Sequence, residues 1–250
     1  MNNGYFKDKT VVVTGASSGI GWHTARLFAQ AGAKVLAHCH RNCEGLKALT
    51  KEGDVSGVQS DLSTPVGIEP IKIAVHERLN GRVDVLVNNA GSLLRRARFL
   101  DLEPQLWDSV LALNLSSAYW CARAFLPSML GRKEGSIINV SSIAGRNGGG
   151  LGAIAYSAAK GGLIAFSKGL AREFTPQGIR VNAVSPGTVD TNYHKTFSTE
   201  QMIANAIAAT PMGRMGSPEE VAEVIVFLAS PAASYISGET IEINGGALMD

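Results

Sequence analysis

A tyrosine and a lysine four residues apart, Tyr156 and Lys160, are the pair in this chain best suited to proton transfer. On a helix such a pair leaves one face, one turn apart. An ammonium held beside a phenol favours the phenolate and lowers its pKa from about 10. A tyrosine tuned in this way exchanges a proton with an alcohol or carbonyl oxygen near neutral pH. A second candidate lies near the start, where the apolar run Thr10-Val11-Val12-Val13 leads into Thr14-Gly15-Ala16-Ser17-Ser18-Gly19-Ile20-Gly21 and a helical pattern follows. A strand turning through glycines into a helix N-terminus presents free N–H groups and a positive dipole end, and so binds phosphate. The spacing is Gly-x-x-x-Gly-x-Gly, a departure from the standard dinucleotide pattern Gly-x-Gly-x-x-Gly.

The elements that must position these residues alternate along the chain. Apolar strands are expected at 10–14, 34–39, 55–60, 83–88, 136–141, 180–185 and 240–243. Helical periodicity fits 19–31, 43–52, 65–80, 105–130, 155–174, 199–209 and 218–229. Unbroken apolar strands between amphipathic helices imply a parallel sheet of about seven strands covered on both faces, an α/β fold. Ligands of such sheets sit at the carboxyl ends of the strands, where the strand order switches. The candidate residues fall at those ends or open the next helix.

Thr14-Gly15-x-x-x-Gly19-x-Gly21, Asn88-Asn89-Ala90-Gly91, Asn114, Ser142, Tyr156-x-x-x-Lys160 and Ser185-Pro186-Gly187-Thr188 occur in this order. Together they resemble the short-chain dehydrogenase/reductase family, from about residue 8 to the C-terminus. The resemblance implies a Rossmann-like doubly wound sheet in a single domain, 1–250, with a substrate lid at about 189–215. It implies hydride transfer between a nicotinamide cofactor and a carbonyl or secondary alcohol. Tyr156 would exchange the proton, Lys160 would lower its pKa and hold the nicotinamide ribose, and Ser142 would hydrogen-bond the substrate oxygen. Asn114 would kink its helix around a water that relays protons from Lys160. Ser142 stands 14 residues before Tyr156, one more than the usual spacing. The extra residue is expected in the loop Gly148-Gly149-Gly150-Leu151-Gly152, with Ser141 as the alternative serine.

The same resemblance distributes the cofactor contacts. Gly15, Ser17, Ser18, Gly19, Ile20 and Gly21 form the phosphate turn; Asn88, Ala90 and Gly91 line the adenosine side, with Asn89 bracing the neighbouring strand. Pro186, Gly187 and Thr188 orient the nicotinamide. Asp61, followed by Leu62, is either an adenine contact or a helix N-cap. After the second strand an acid usually accepts hydrogen bonds from the ribose 2′-OH of NAD, whereas a basic residue accommodates the 2′-phosphate of NADP. Here Cys39 occupies that position and His40 and Arg41 follow. A carboxylate would repel a phosphate that an arginine can bind bidentately. NADP(H) is therefore expected, with NAD possible, although Ser18 stands where a second basic residue is often found. Arg41 could also be a solvated loop cation.

Twenty-three basic against 21 acidic residues, a net charge of +2, give no electrostatic case for nucleic acid or a membrane surface. No apolar run approaches a membrane span, the N-terminus carries no apolar signal core, and a cytoplasmic enzyme is expected. Cys39, Cys43 and Cys121 lack metal-ligand spacing and are odd in number, so no metal site and reduced thiols are expected. Two segments should line the substrate pocket. Arg95 and Arg96 in the first could attract an anionic group, or serve as a solvated loop or subunit contact. The second holds Asp190, Tyr193, His194, Phe197 and Met202. Sugar acids, polyols, ketoacyl thioesters and cyclic alcohols all remain open as substrates. The segment 105–130 is apolar on more than one face (Leu106, Trp107, Val110, Leu113, Tyr119, Trp120, Phe125), and the resemblance implies a homotetramer built on such helices, with 245–250 as a further subunit contact. A sensor or scaffold that binds NADP without turnover is the alternative from another class.

Overall fold

The structure is a computed structural model that describes residues 4–249. The strands are β1 (Thr10–Val13), β2 (Lys34–Cys39), β3 (Val55–Gln59), β4 (Val85–Asn88), β5 (Gly135–Val140), β6 (Ile179–Pro186) and β7 (Thr240–Ile243). All pair in parallel, in the order β3-β2-β1-β4-β5-β6-β7. The order reverses between β1 and β4, which opens a crevice at their carboxyl ends. The helices are α1 (Gly19–Gln30), α2 (Glu44–Leu49), α3 (Ile68–Leu79), α4 (Pro104–Leu111), α5 (Ser117–Arg132), α6 (Ala144–Asn147), α7 (Ile154–Phe174), α8 (Asn192–Phe197), α9 (Glu200–Ala209) and α10 (Pro218–Ala229).

The central strands β1 and β4 read as apolar runs because both faces of the sheet are covered there, whereas the edge strands β3 and β7 are partly exposed. Successive side chains point to opposite faces. Val11, Val13, Val35, Ala37, Val85 and Val87 face one core with α1 and α10 residues such as Phe28 and Ile225. Val12, Leu36 and Leu86 face the other with Ile71 and Val75 of α3 and Phe125 and Met129 of α5. At the amino end of the sheet, Asp84 is buried and accepts from the Thr10 amide at 2.8 Å and the Arg82 Nε at 2.9 Å. Among the described residues no helix is long and apolar enough to cross a membrane.

Two sequence expectations are corrected here. The long helix expected at 105–130 is interrupted by a π-helical turn, Ala112–Ser116, between α4 and α5. Side-chain periodicity barely registers one extra residue per turn, whereas backbone geometry does. Cys39 and Cys43, expected as free thiols, form a disulfide: the turn after β2 folds back to α2 and brings their Cα atoms to 5.5 Å, within bridging range. Cys121 is free and buried, and burial pushes its thiol up to about 12.

Candidate active site

The carboxyl ends of β1, β4, β5 and β6 enclose a cleft of about 1150 Å³. Its floor is the phosphate turn. Thr14 Oγ1 accepts the amides of both Asn89 and Ala90 at 3.0 Å, tying the β1 and β4 ends together. The Asn89 side-chain amide donates to the carbonyls of Thr14 and Gly15 at 2.9 Å, the bracing role expected of it. Gly15 adopts φ +66°, a conformation glycine takes without strain. Gly21 packs beneath the turn, where an added Cβ would strike the Gly15 carbonyl. Gly15, Ser17, Ser18, Gly19 and Ile20 line the cleft itself.

Tyr156 and Lys160 sit one turn apart on α7, with Lys160 Nζ 5.7 Å from the centre of the Tyr156 ring. Tyr156 and Ser142 both line this end of the cleft, near enough for the serine to act on the phenol; Ser142 follows β5 and its Oγ accepts the Ala144 amide at 3.1 Å. The adjacent Ser141 turns away and donates to the Lys160 carbonyl at 2.8 Å, so Ser142 is the serine aimed at the tyrosine. Lys160 is 3% exposed, and its Nζ donates to the Val140 carbonyl at 2.7 Å. Burial lowers its pKa to about 8. Tyr156 differs from the sequence expectation. Burial, reinforced by the neighbouring Tyr193, pushes the phenol above its ordinary range, and Ser142 opposes this only in part.

Asn114 lies in the π-helical turn, its Nδ2 donating to the carbonyls of Ser92 (2.8 Å) and Val110 (2.9 Å). Its Oδ1 accepts the Ser92 amide at 3.0 Å. The kink expected there exists, but the amide side chain is already engaged by the chain after β4. A Cβ at Gly91 would lie 2.7 Å from Asn114 Oδ1 and 3.0 Å from Lys160 Nζ. Only glycine leaves that passage open.

Of the cofactor positions expected beyond the phosphate turn, Asn88 is placed elsewhere. Asn88 is turned into the sheet, where it donates to Asn139 Oδ1 at 2.8 Å; Asn89 takes the cleft position instead. Leu62 lines the cleft as expected, although its side chain is packed into the core and is 1% exposed. Asp61 closes a local turn, accepting the Ser63 amide at 2.9 Å, while its other oxygen lies 3.6 Å from His40 Nε2. The Ser63 bonds, with His40 and Arg41 nearby, hold its carboxyl below the usual range. His40 and Arg41 are exposed at the cleft mouth, and Pro186, Gly187 and Thr188 line its inner end.

The substrate side is closed by α8. Tyr193 lies over Tyr156 with ring centres 5.8 Å apart and over Phe197 at 5.2 Å. Arg96 is not a free anion site. Its Nε donates to the Phe197 carbonyl at 2.6 Å and a terminal nitrogen to the Leu151 carbonyl at 2.8 Å, clipping α8 to the glycine-rich loop. Arg95 pairs with Glu103 at 3.4 Å on the surface. Sequence reasoning left Ile143, Ala144 and Asn147 out of the cleft that they line. They follow the serine pair as ordinary helix residues, and nothing in their types or spacing marks them.

Residues 15–247 match a family model described as Enoyl-(Acyl carrier protein) reductase. The 3-oxoacyl-(acyl-carrier-protein) reductase FabG of Vibrio cholerae is 40% identical over 242 residues, 96% of this chain and 98% of its own. That of Escherichia coli is 38% identical over 246 residues, 98% and 99%, and that of Thermotoga maritima is 39% identical over 245, 96% and 98%. The chain belongs to the short-chain dehydrogenase/reductase family. It is an NAD(P)-dependent oxidoreductase, which sets aside the sensor alternative. The cleft fits the dinucleotide: the turn is built of glycines that a Cβ would block, Gly91 leaves the way to Lys160 open, and a basic residue stands at the mouth.

Proposed function

We propose that this protein is an NADP(H)-dependent reductase of 3-oxoacyl thioesters, a single catalytic domain whose segment 189–215 serves as substrate lid. The observation that carries the reading is the convergence of the Ser142 and Tyr156 hydroxyls beside Lys160. When bound, the dinucleotide supplies hydride from C4 of its nicotinamide. Ser142 holds the carbonyl oxygen and stabilises the charge that grows on it. Tyr156, a neutral phenol because burial raises its pKa, gives that oxygen its proton. Lys160 is cationic below about pH 8 and keeps two of its three N–H groups for the ribose and the tyrosine after binding Val140. Asn114 fixes Ser92 and the π-helical turn behind Lys160, the place at which a water would return a proton to the lysine.

Arg41, with His40 beside it, receives the 2′-phosphate, and Cys39 leaves no carboxylate to repel it. Two features support the thioester: the relatives' names, and a pocket walled by Tyr193 and Phe197 whose Arg96 is held by the Phe197 and Leu151 carbonyls. Acetoacetyl thioester, an enoyl thioester, a polyol and a sugar acid are offered in turn with NADPH or NADP⁺, and nicotinamide absorbance is followed. Fastest turnover with the oxoacyl thioester is the expected result; a preference for the enoyl thioester or a polyol would overturn the reading. We also propose a cytoplasmic homotetramer, paired through α4 and α5, where Tyr119 is exposed and Leu106, Trp107 and Trp120 are half-buried. The Asp250 end of the expected tail contact lies outside the described residues. A monomer in light scattering at micromolar concentration would exclude that assembly.

A further inference from the structure

His38, on β2 and 2% exposed, holds two successive amides of the phosphate turn. Its carbonyl accepts the Ala16 N–H at 2.7 Å, and its ring Nδ1 accepts the Gly15 N–H at 3.2 Å. On the other side of the ring, Nε2 lies 3.0 Å from the Ser60 carbonyl. A carbonyl oxygen only accepts, so Nε2 must carry a proton. An amide N–H only donates, so Nδ1 must be bare. Only the neutral imidazole protonated at Nε2 satisfies both contacts. The turn has little room to give, since a Cβ on Gly15 would already lie 2.9 Å from Ala90 Cα. A proton on Nδ1 would set two N–H groups against each other where one bond now stands.

We propose that His38 is the positioning residue of the dinucleotide site, holding the Gly15 turn in binding shape as a neutral imidazole and releasing it when protonated. This rests on the dinucleotide reading above but assigns a role to a residue that touches neither substrate nor the reacting atoms. Burial holds the ring's pKa below its ordinary 6.5, with His40 adding to this and Asp61 and the Ser60 carbonyl opposing it. The turn Gly15–Ser17 offers no titratable group, and α3 buries the apolar Ile68, Ile71 and Val75. The release therefore falls on the acid side of 6.5. Proton binding at Nδ1 and dinucleotide binding oppose each other, and by linkage each weakens the other equally.

The test measures Kd for NADPH and for NADH by nicotinamide fluorescence from about pH 8 to about pH 5, with circular dichroism confirming the fold. NADH lacks the 2′-phosphate, so its arm is free of that group's ionisation and of its contacts to His40 and Arg41. For the wild type, both affinities should fall about tenfold toward pH 5, the cost of one lost buried hydrogen bond. His38→Asn places an untitratable oxygen near the Nδ1 position, so it should bind at pH 8 within about threefold of the wild type and show a flat profile. His38→Leu should bind about tenfold more weakly at every pH. Should these variants fail to fold, histidine nitrogen NMR of the wild type decides. Nδ1 should be bare and Nε2 protonated, and NADH should lower the His38 pKa further. A flat NADH profile in the wild type, the same acid loss in His38→Asn, or a His38 pKa unmoved by NADH would overturn the proposal. A wild type that binds neither nucleotide at pH 8 would instead overturn the dinucleotide reading.

Discussion

Replacing Lys160 with methionine should abolish turnover and yet make the fold more stable at neutral pH. The side chain is 3% exposed, and burial lowers its pKa from the ordinary 10.5 to about 8. A shift of that size corresponds to about 3 kcal/mol of destabilisation carried by the ammonium at neutral pH. Methionine removes this cost, fills similar volume, and leaves the Val140 carbonyl without its donor, a loss of about 1 kcal/mol. The net gain is roughly 2 kcal/mol. The sign follows from proton counting. Below about pH 8 both folded and unfolded chains carry the proton and the full cost is present. Between about 8 and 10.5 the unfolded chain binds more protons, so wild-type stability rises with pH through that window. Lys160→Met lacks this rise, and its advantage should shrink as pH increases. Urea unfolding near neutral pH should show the variant's midpoint raised by about 0.5 M, with the two curves converging in strong base. A variant less stable than the wild type at neutral pH, or an advantage that does not change with pH, would refute the reasoning.

Arg41→Ala should raise KM for NADPH roughly 10- to 100-fold, the worth of a charge-assisted phosphate contact, and leave KM for NADH within about twofold. Equal effects on both cofactors would place the phosphate elsewhere. Gly91→Ala should lower kcat at least about tenfold while stability changes little, because the new methyl would crowd Asn114 Oδ1 and Lys160 Nζ at 2.7 and 3.0 Å. Full activity in that variant would show that the passage beside Lys160 is not used. Thiol titration of the denatured protein should give one reactive thiol per chain before reduction, Cys121, and three after it. Three without reduction would mean that Cys39 and Cys43 are unpaired.

Every strand expected from the sequence is present, with ends shifted by at most two residues, because the central strands, buried on both faces, are mostly apolar and the edge strands follow them at regular spacing. The phosphate turn and Tyr156–Lys160 were equally legible, since their function requires fixed spacing within one element. Relations between elements were not. Nothing near Arg96 shows that its donors meet the carbonyls of Phe197 and Leu151, residues far away in sequence. Asn88 and Asn89 are adjacent and identical in type, and only strand alternation decides which faces the sheet and which the cleft. The direction of the Tyr156 pKa depends on how much protein covers the phenol, which spacing to a lysine does not reveal. His38 is a single histidine in an apolar strand, and its two ring contacts come from the turn after β1 and from the residue after β3.

The account depends on the Tyr156 hydroxyl delivering the proton inside an otherwise intact dinucleotide cleft. Tyr156→Phe removes that one oxygen and preserves the ring that packs against Tyr193. NADPH affinity measured by fluorescence and single-turnover reduction of acetoacetyl thioester, run on the same preparation, test the claim together. Affinity within about threefold of the wild type, with reduction slowed by at least about a thousandfold, is the expected pair of results. Reduction within about tenfold of the wild type would contradict the central claim.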